Sequence, residues 1–231
     1  MPEMPPWLDD GEIPDMPDFP GDFDDDFLPE ESGPVIQKIK SENLGSIENL
    51  DDLRSVWGDC KRCGLSQTRK NLVFGEGNQS ASVLFIGEGP GADEDRQGRP
   101  FVGKSGELLT RMIEAMGLTR NDVFIANIVK CRPPGNRDPE PGEILTCIPV
   151  LRRQIEIIKP KLIVCLGRVS AQSLLSTKDS ITRLRGSFHK YEGIDLLVTF
   201  HPAYLLRSPE KKRDAWADLQ LVMERIGLKN G

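Results

Sequence analysis

The spacing of hydrophobic positions changes several times between residues 46 and 226, and each change predicts an element. In SIENLDDLRSVW, Ile47, Leu50, Leu53 and Trp57 recur on one helical face, with Ser46 in the position of an N-cap. SVLFIG (82–87) is a short apolar run closed by glycine, the pattern of a strand buried on both faces. Leu108, Leu109, Met112, Ile113 and Met116 return to helical spacing in 105–117, with Gly117 as the stop. VFIANIV (123–129) and KLIVCLG (161–167) read as strands, and LLVTF (196–200) as a fourth. Between them lie a helix over 143–158, disturbed near Pro149, and one in VSAQSLLS; a last helix runs from about 210 to 226.

Strands alternating with helices predict an α/β fold: a three-layer α/β/α domain around a central, mainly parallel four-stranded sheet. In such sheets ligands bind beyond the carboxyl ends of the strands. The unusual residues fall there. GEGPG follows the first strand, Asn127 lies near the end of the second, Gly167 and Arg168 follow the third, and His201-Pro202 follows the fourth.

Residues 1–34 break the pattern. They are rich in Pro and Asp and hold twelve acidic residues and no Lys or Arg. Such a segment buries too little to offset its chain entropy, so it predicts a disordered acidic tail. Residues 35–45 read as a linker, and 46–231 as the domain. Trp7, Phe19, Phe23 and Phe27 sit among the acids; this composition suits either a docking segment for a protein partner or a solubilising tail. The tail also hides the charge of the body. The whole chain is −6, but 35–231 has 30 basic against 24 acidic residues. A body of +6 suits a polyanionic partner such as nucleic acid. No apolar run has the length of a membrane span, and the N-terminus has neither a basic n-region nor an apolar h-region. The expectation is a cytoplasmic monomer without membrane contact.

The five cysteines are an odd number in a chain without an export signal, which points away from a disulfide framework. Cys60 and Cys63 form a C-x₂-C pair; Cys131 and Cys147 follow, with fifteen residues between them. Four thiolates can hold a [4Fe–4S] cluster or a tetrahedral zinc, and spacing does not separate the two. A redox C-x₂-C pair leaves Cys131 and Cys147 unexplained. Cys165, inside LIVCLG, is expected in the core.

Three strings carry further chemistry. GEGPGADED (87–95) is a glycine-rich turn that lets backbone approach a ligand, with Glu88 at the rim. Gly98 to Ser105 matches the P-loop pattern G-x₄-G-K-[ST] at every defined position, but ADEDRQ precedes it where a P-loop needs a buried strand. Phe101 there presents an aromatic face to the rim, and the following helix N-terminus suits a phosphate. In His201-Pro202-Ala-Tyr204-Leu205-Leu206-Arg207 the apolar residues read as an exposed loop, suited to a wedge in a base stack or to a staple on the next helix.

Together, the four-cysteine spacing, GEGPGADED, GRPFVGKSGELL, IANIVKCRPPGNR, LIVCLG, RLRGSFH and HPAYLLR resemble the iron–sulfur uracil-DNA glycosylases of bacteria and archaea, known as family 4, over roughly residues 47–228. The resemblance implies a [4Fe–4S] cluster on Cys60, Cys63, Cys131 and Cys147, and monofunctional excision of uracil from DNA for base excision repair. It implies that Phe101 stacks on the extruded base, that Asn127 reads the uracil edge, and that His201 hydrogen-bonds uracil O2. Glu88 then holds the attacking water, and the Gly89 backbone shapes the pocket. Leu205 and Leu206 fill the vacated stack, while Lys104, Ser105 and Arg207 contact phosphates; Arg132 and Arg137 are further candidates for the DNA backbone. The GEGPGA string lacks the Asp and Tyr of better-known uracil glycosylases. The loop Arg183 to His189 lacks the Arg-Arg-Ile-His of a branch that traps its product covalently. Two rival functions remain on the residues alone: a P-loop nucleotide hydrolase and a non-catalytic zinc-bound DNA-binding module.

Overall fold

The structure, a computed structural model, describes residues 5–8 and 44–228. The elements in chain order are α1 (Leu50–Trp57), β1 (Glu76–Gly77), β2 (Val83–Gly87), α2 (Ala92–Gln97), α3 (Lys104–Ala115), β3 (Phe124–Asn127), α4 (Pro141–Ile158), β4 (Leu162–Leu166), α5 (Arg168–Leu175), α6 (Ile181–Leu184), β5 (Phe188–Tyr191), β6 (Ile194–Thr199), α7 (Pro202–Arg207) and α8 (Lys212–Ile226).

The sheet runs β1-β3-β2-β4-β6-β5. Its four central strands are parallel and are the four that the apolar runs predict. The two edge strands pair antiparallel and were not predicted. β1 has only two residues, and β5 carries His189 and Lys190 on a half-exposed surface, so neither has the apolar signature of a central strand.

Strand residues alternate between two cores. Leu84, Ile86, Ile163, Cys165, Leu196 and Val198 face α1, α4 and α5. Val83, Phe85, Leu162, Val164, Leu166 and Leu197 face α3, α7 and α8. Each central strand is thus buried on both sides, the three-layer arrangement that the pattern predicts. Cys165 lies in the core as expected.

Several boundaries differ. The first helix is capped by Asn49, whose Oδ1 accepts the Asp52 N–H at 2.8 Å, rather than by Ser46. Leu44–Ser46 instead form a 3₁₀ turn across the end of the predicted linker, and Arg153 holds the Ile47 carbonyl at 2.7 and 2.9 Å. Helix α4 continues through Pro149 for 18 residues. Its buried face of Ile144, Ile148, Leu151 and Ile155 outweighs one missing backbone bond.

The predicted disordered tail needs one correction. Pro5–Leu8 pack on the body, and Trp7 is 2 % exposed, edge-on to Trp216 of α8 with centroids 6.3 Å apart. The acidic stretch 9–34 and the predicted linker 35–43 lie outside the described residues. An indole buried among α3 and α8 contributes about 2 kcal/mol relative to an exposed one. Trp7→Ala should therefore lower the unfolding free energy by about that amount in urea titration; an unchanged midpoint would show that Trp7 adds nothing to the fold.

Candidate active site

The carboxyl ends of the parallel strands open into a cleft of about 710 Å³. Its walls include Glu88, Gly89, Phe101, Lys104, Ser105, Asn127, Arg168, His201 and Arg207. All four predicted strand ends thus meet in one place.

The register explains the floor. Gly87 and Asn127 are Cα partners across β2 and β3. A Cβ on Gly87 would stand 2.5 Å from both Asn127 Oδ1 and the tip of the Phe101 ring. Only glycine lets the amide and the ring share that floor. Asn127 is 1 % exposed, and its Oδ1 has no hydrogen-bond partner in the protein. A buried acceptor without a donor costs about 1–3 kcal/mol, so it marks a place where a ligand supplies the N–H.

Phe101 has a left-handed backbone, φ 51°, a strained conformation for a bulky residue. Three contacts hold it. Arg120 donates to the Pro100 and Phe101 carbonyls at 2.7 and 3.0 Å, and is itself paired with Glu76 at 2.7 Å. Gly106 in the first turn of α3 admits the Phe101 carbonyl, which a Cβ would meet at 2.0 Å. Glu94 ties the two loops together: Oε1 accepts from the N–H groups of Val102 and Gly103 at 2.9 and 3.0 Å, and Oε2 from Gly91 at 3.1 Å. Neither Arg120 nor Glu94 was singled out by sequence. Most of their partners are backbone groups, which leave no residue pattern to read.

His201 faces Phe101, with ring centroids 5.6 Å apart. Gly167 gives it room, since a Cβ there would lie 2.9 Å from His201 Cβ. Burial, with Arg207 adding to it, lowers the ring's pKa to about 4. His201 Nδ1 accepts the Ala203 N–H at 3.1 Å. A neutral ring that accepts at Nδ1 carries its proton on Nε2, which makes Nε2 a donor.

Burial pushes the Glu88 carboxyl up to about 8; the nearby Asp138 charge adds to this and Arg168 opposes it. Asp138 and Arg168 form an ion pair at the cleft wall. Lys104 and Ser105 open α3 at the cleft, where helix N–H groups suit an anion.

Other expected residues are placed differently. Tyr204, Leu205 and Leu206 belong to helix α7, not to an exposed loop. Leu205 is fully buried and Leu206 nearly so in the core against α3 and α8, and Tyr204 packs on Phe200. In this conformation the two leucines staple α7 to the core and present no wedge. The proline after His201 starts a helix here as well as turning the chain. Arg137 is engaged by Glu143 through two bonds of 2.8 and 2.9 Å, and Arg132 bonds Asn136 at 2.7 Å. His189 bonds the Leu184 carbonyl at 2.7 Å and is not among the cleft residues. The P-loop match follows helix α2 rather than a strand, and its middle residue Phe101 is buried; the nucleotide-hydrolase alternative fails on both counts.

Cys60, Cys63, Cys131 and Cys147 line one small cavity with Trp57, Leu65, Arg69 and Lys130. Arg69 approaches Cys131 Sγ at 3.0 Å, and the Lys130 N–H approaches Cys147 Sγ at 3.3 Å. Burial raises Cys131 to about 11 and Cys147 to about 12, against the pull of Arg69 and Lys130 respectively. Among the described residues no three such donors converge on a single ion.

A three-layer α/β enzyme with an aromatic wall, an unpartnered amide acceptor and an imidazole donor at its strand ends is built to hold a flat, hydrogen-bonding ring. The family comparison agrees with that class. The model of the uracil DNA glycosylase superfamily matches residues 74–220, and the chain belongs to this family. It is 47 % identical over 192 residues to the type-4 uracil-DNA glycosylase of Saccharolobus solfataricus, covering 79 % of this chain and 89 % of that one. Identity is 41 % to the type-4 enzyme of Archaeoglobus fulgidus, over 79 % and 96 % of the two chains. It is 46 % to that of Thermotoga maritima, over 70 % and 86 %.

The electrostatics of the cleft yield a direct test. Asp138→Asn removes a charge that raises Glu88 and frees the charge of Arg168, so both changes lower the Glu88 pKa. Carboxyl ¹³C titration should show the Glu88 resonance turning over at lower pH in the variant. An unmoved titration would mean that Asp138 does not act on Glu88.

Proposed function

We propose that this chain extrudes uracil from DNA and hydrolyses its N-glycosidic bond, leaving an abasic strand for base excision repair. The observation that carries this reading is the buried Asn127 oxygen without a donor, set at the floor of the cleft beside Phe101. Uracil offers an N3–H to that oxygen and its O4 to the amide NH₂, whereas cytosine presents an acceptor at N3 and a donor at N4. A base reaches such a floor only outside the duplex stack.

The remaining groups follow the charge that the reaction develops. Negative charge gathers on uracil O2 as the bond stretches, and the neutral His201 donates from Nε2 to it. Its lowered pKa keeps the ring neutral from about pH 4 upward. Glu88 as carboxylate holds the attacking water and faces the positive sugar. Lys104, Ser105 and Arg207 lie at the cleft to receive phosphates.

The four cysteines are assigned to a [4Fe–4S] cluster. They share one cavity, and the Arg69 guanidinium and the Lys130 backbone N–H approach two of the sulfurs. When bound, the cluster staples the segments after α1 and β3 to helix α4. Glycosidic hydrolysis transfers no electrons, so stapling is the part it plays here. A zinc-bound DNA-binding module is the reading this set against. We place the enzyme in the cytoplasm as a monomer; among the described residues no helix is long and apolar enough to cross a membrane. The acidic segment with Phe19, Phe23 and Phe27 is the part suited to a protein partner.

An oligonucleotide with a single uracil, incubated with the protein and then with alkali, tests the activity. Free uracil and an alkali-labile but otherwise intact strand are expected; scission without alkali would contradict monofunctional hydrolysis. His201→Ala should lose about 10²–10³-fold in rate, the worth of one such donor, and near-wild-type activity would remove its assignment. The rate should also rise with pH through the Glu88 transition near 8, a limb that Glu88→Gln abolishes if the carboxylate is the acting form. Protein purified without oxygen should be brown and contain iron, whereas one zinc and no iron would overturn the cluster assignment.

A further inference from the structure

Lys130 is fully buried, an unusual position for an ammonium, and nothing in the chemistry above uses its side chain. Its Nζ donates to the Asn127 carbonyl at 2.9 Å and to Gln154 Oε1 at 2.7 Å. Gln154, itself buried, donates onward to the Phe74 carbonyl at 2.9 Å. The Lys130 backbone is held as firmly. Its N–H approaches Cys147 Sγ at 3.3 Å, and its carbonyl accepts from Val73 at 2.8 Å. Cys147 and Gln154 lie two helical turns apart on one face of α4. Lys130 therefore meets that face at two points, one of them a cysteine of the cavity.

The other end of the contact is the base-reading residue. After Asn127 the chain leaves β3, and Ile128 and Val129 donate to the Gly87 and Glu88 carbonyls at 3.0 Å each. The Asn127 carbonyl is the last of β3, and Lys130 Nζ donates to it. A charged donor to a buried carbonyl makes a stronger and better-directed bond than a neutral one. A buried charge with only neutral acceptors is costly, and the cysteines would offset that cost as thiolates when they hold the cluster.

We propose that Lys130 is a positioning residue that couples the four-cysteine cavity to base recognition, its ammonium fixing the Asn127 backbone from which the uracil-reading amide projects. The proposal rests on the reading of Asn127 given above. It assigns the cysteine centre a second consequence besides stapling: helix α4 and the base pocket keep their register through one side chain.

The test is a double-mutant cycle on iron-loaded full-length protein, comparing Lys130→Met, Asn127→Ala and the pair. The readouts are equilibrium binding of free uracil and kcat/KM on a uracil-containing oligonucleotide, expressed per iron-loaded molecule. Lys130→Met alone should weaken uracil binding by about tenfold, equivalent to about 1.4 kcal/mol, yet cost nothing further once Asn127 is Ala. Gln154→Met, which removes the other acceptor while leaving Lys130, should show the same dependence on Asn127 and serves if Lys130→Met does not fold. Wild-type uracil binding in both the Lys130 and Gln154 variants, or equal losses in both Asn127 backgrounds, would overturn the coupling. Wild-type uracil binding by Asn127→Ala alone would instead overturn the reading of Asn127, and this proposal with it.

Discussion

Gly87 has no side chain, and the space this leaves is filled from two sides by the Asn127 amide and the Phe101 ring. Every other feature of the cleft answers to that shared floor. The parallel pairing of β2 with β3 puts Gly87 opposite Asn127. The strained backbone at Phe101 turns the ring inward, and Arg120, Gly106 and Glu94 hold that strain. His201 reaches the same ring from β6 because Gly167 leaves room for it. A methyl group at position 87 would separate the amide from the ring, whatever the rest of the site retained.

The charges around this floor are set by burial more than by ion pairs. Burial lowers His201 and raises Glu88, so the imidazole is a neutral donor and the carboxyl titrates near the working range. Two titratable groups are driven apart by their surroundings, which suits the proposed division of roles between a donor and a water-holding carboxylate. At the cysteine cavity, the Arg69 guanidinium and the Lys130 backbone N–H approach the sulfurs of Cys131 and Cys147. The strand that carries Asn127 runs between the cleft and the cysteine cavity.

Much of this was legible in the residues. The four central strands announced themselves as apolar runs because each is buried on both faces. Glu88, Asn127 and His201 could be placed at one rim because parallel strands end on the same side. Legibility stopped where a contact is made by backbone or decided by tertiary packing. HPAYLLR reads as a loop because its seven residues are too few to show a period, yet α7 forms when Leu205 and Leu206 find the core. Trp7 reads as part of an acidic tail until its socket against Trp216 is seen. Arg120 and Glu94 look like surface charges, since most of the groups they hold are main-chain ones. Cys147 and Gln154 are seven residues apart, but only the fold brings Lys130 against both.

The central claim is that the Asn127 oxygen waits for the N3–H of uracil. Equilibrium binding of free uracil and of N3-methyluracil to the same protein isolates that one bond, because the methyl group removes the donor and leaves O2, O4 and the ring face in place. The account predicts that uracil binds measurably and that N3-methylation abolishes binding in the wild-type protein, with the difference shrinking in Asn127→Ala. Equal affinity of the wild-type protein for the two ligands would contradict it.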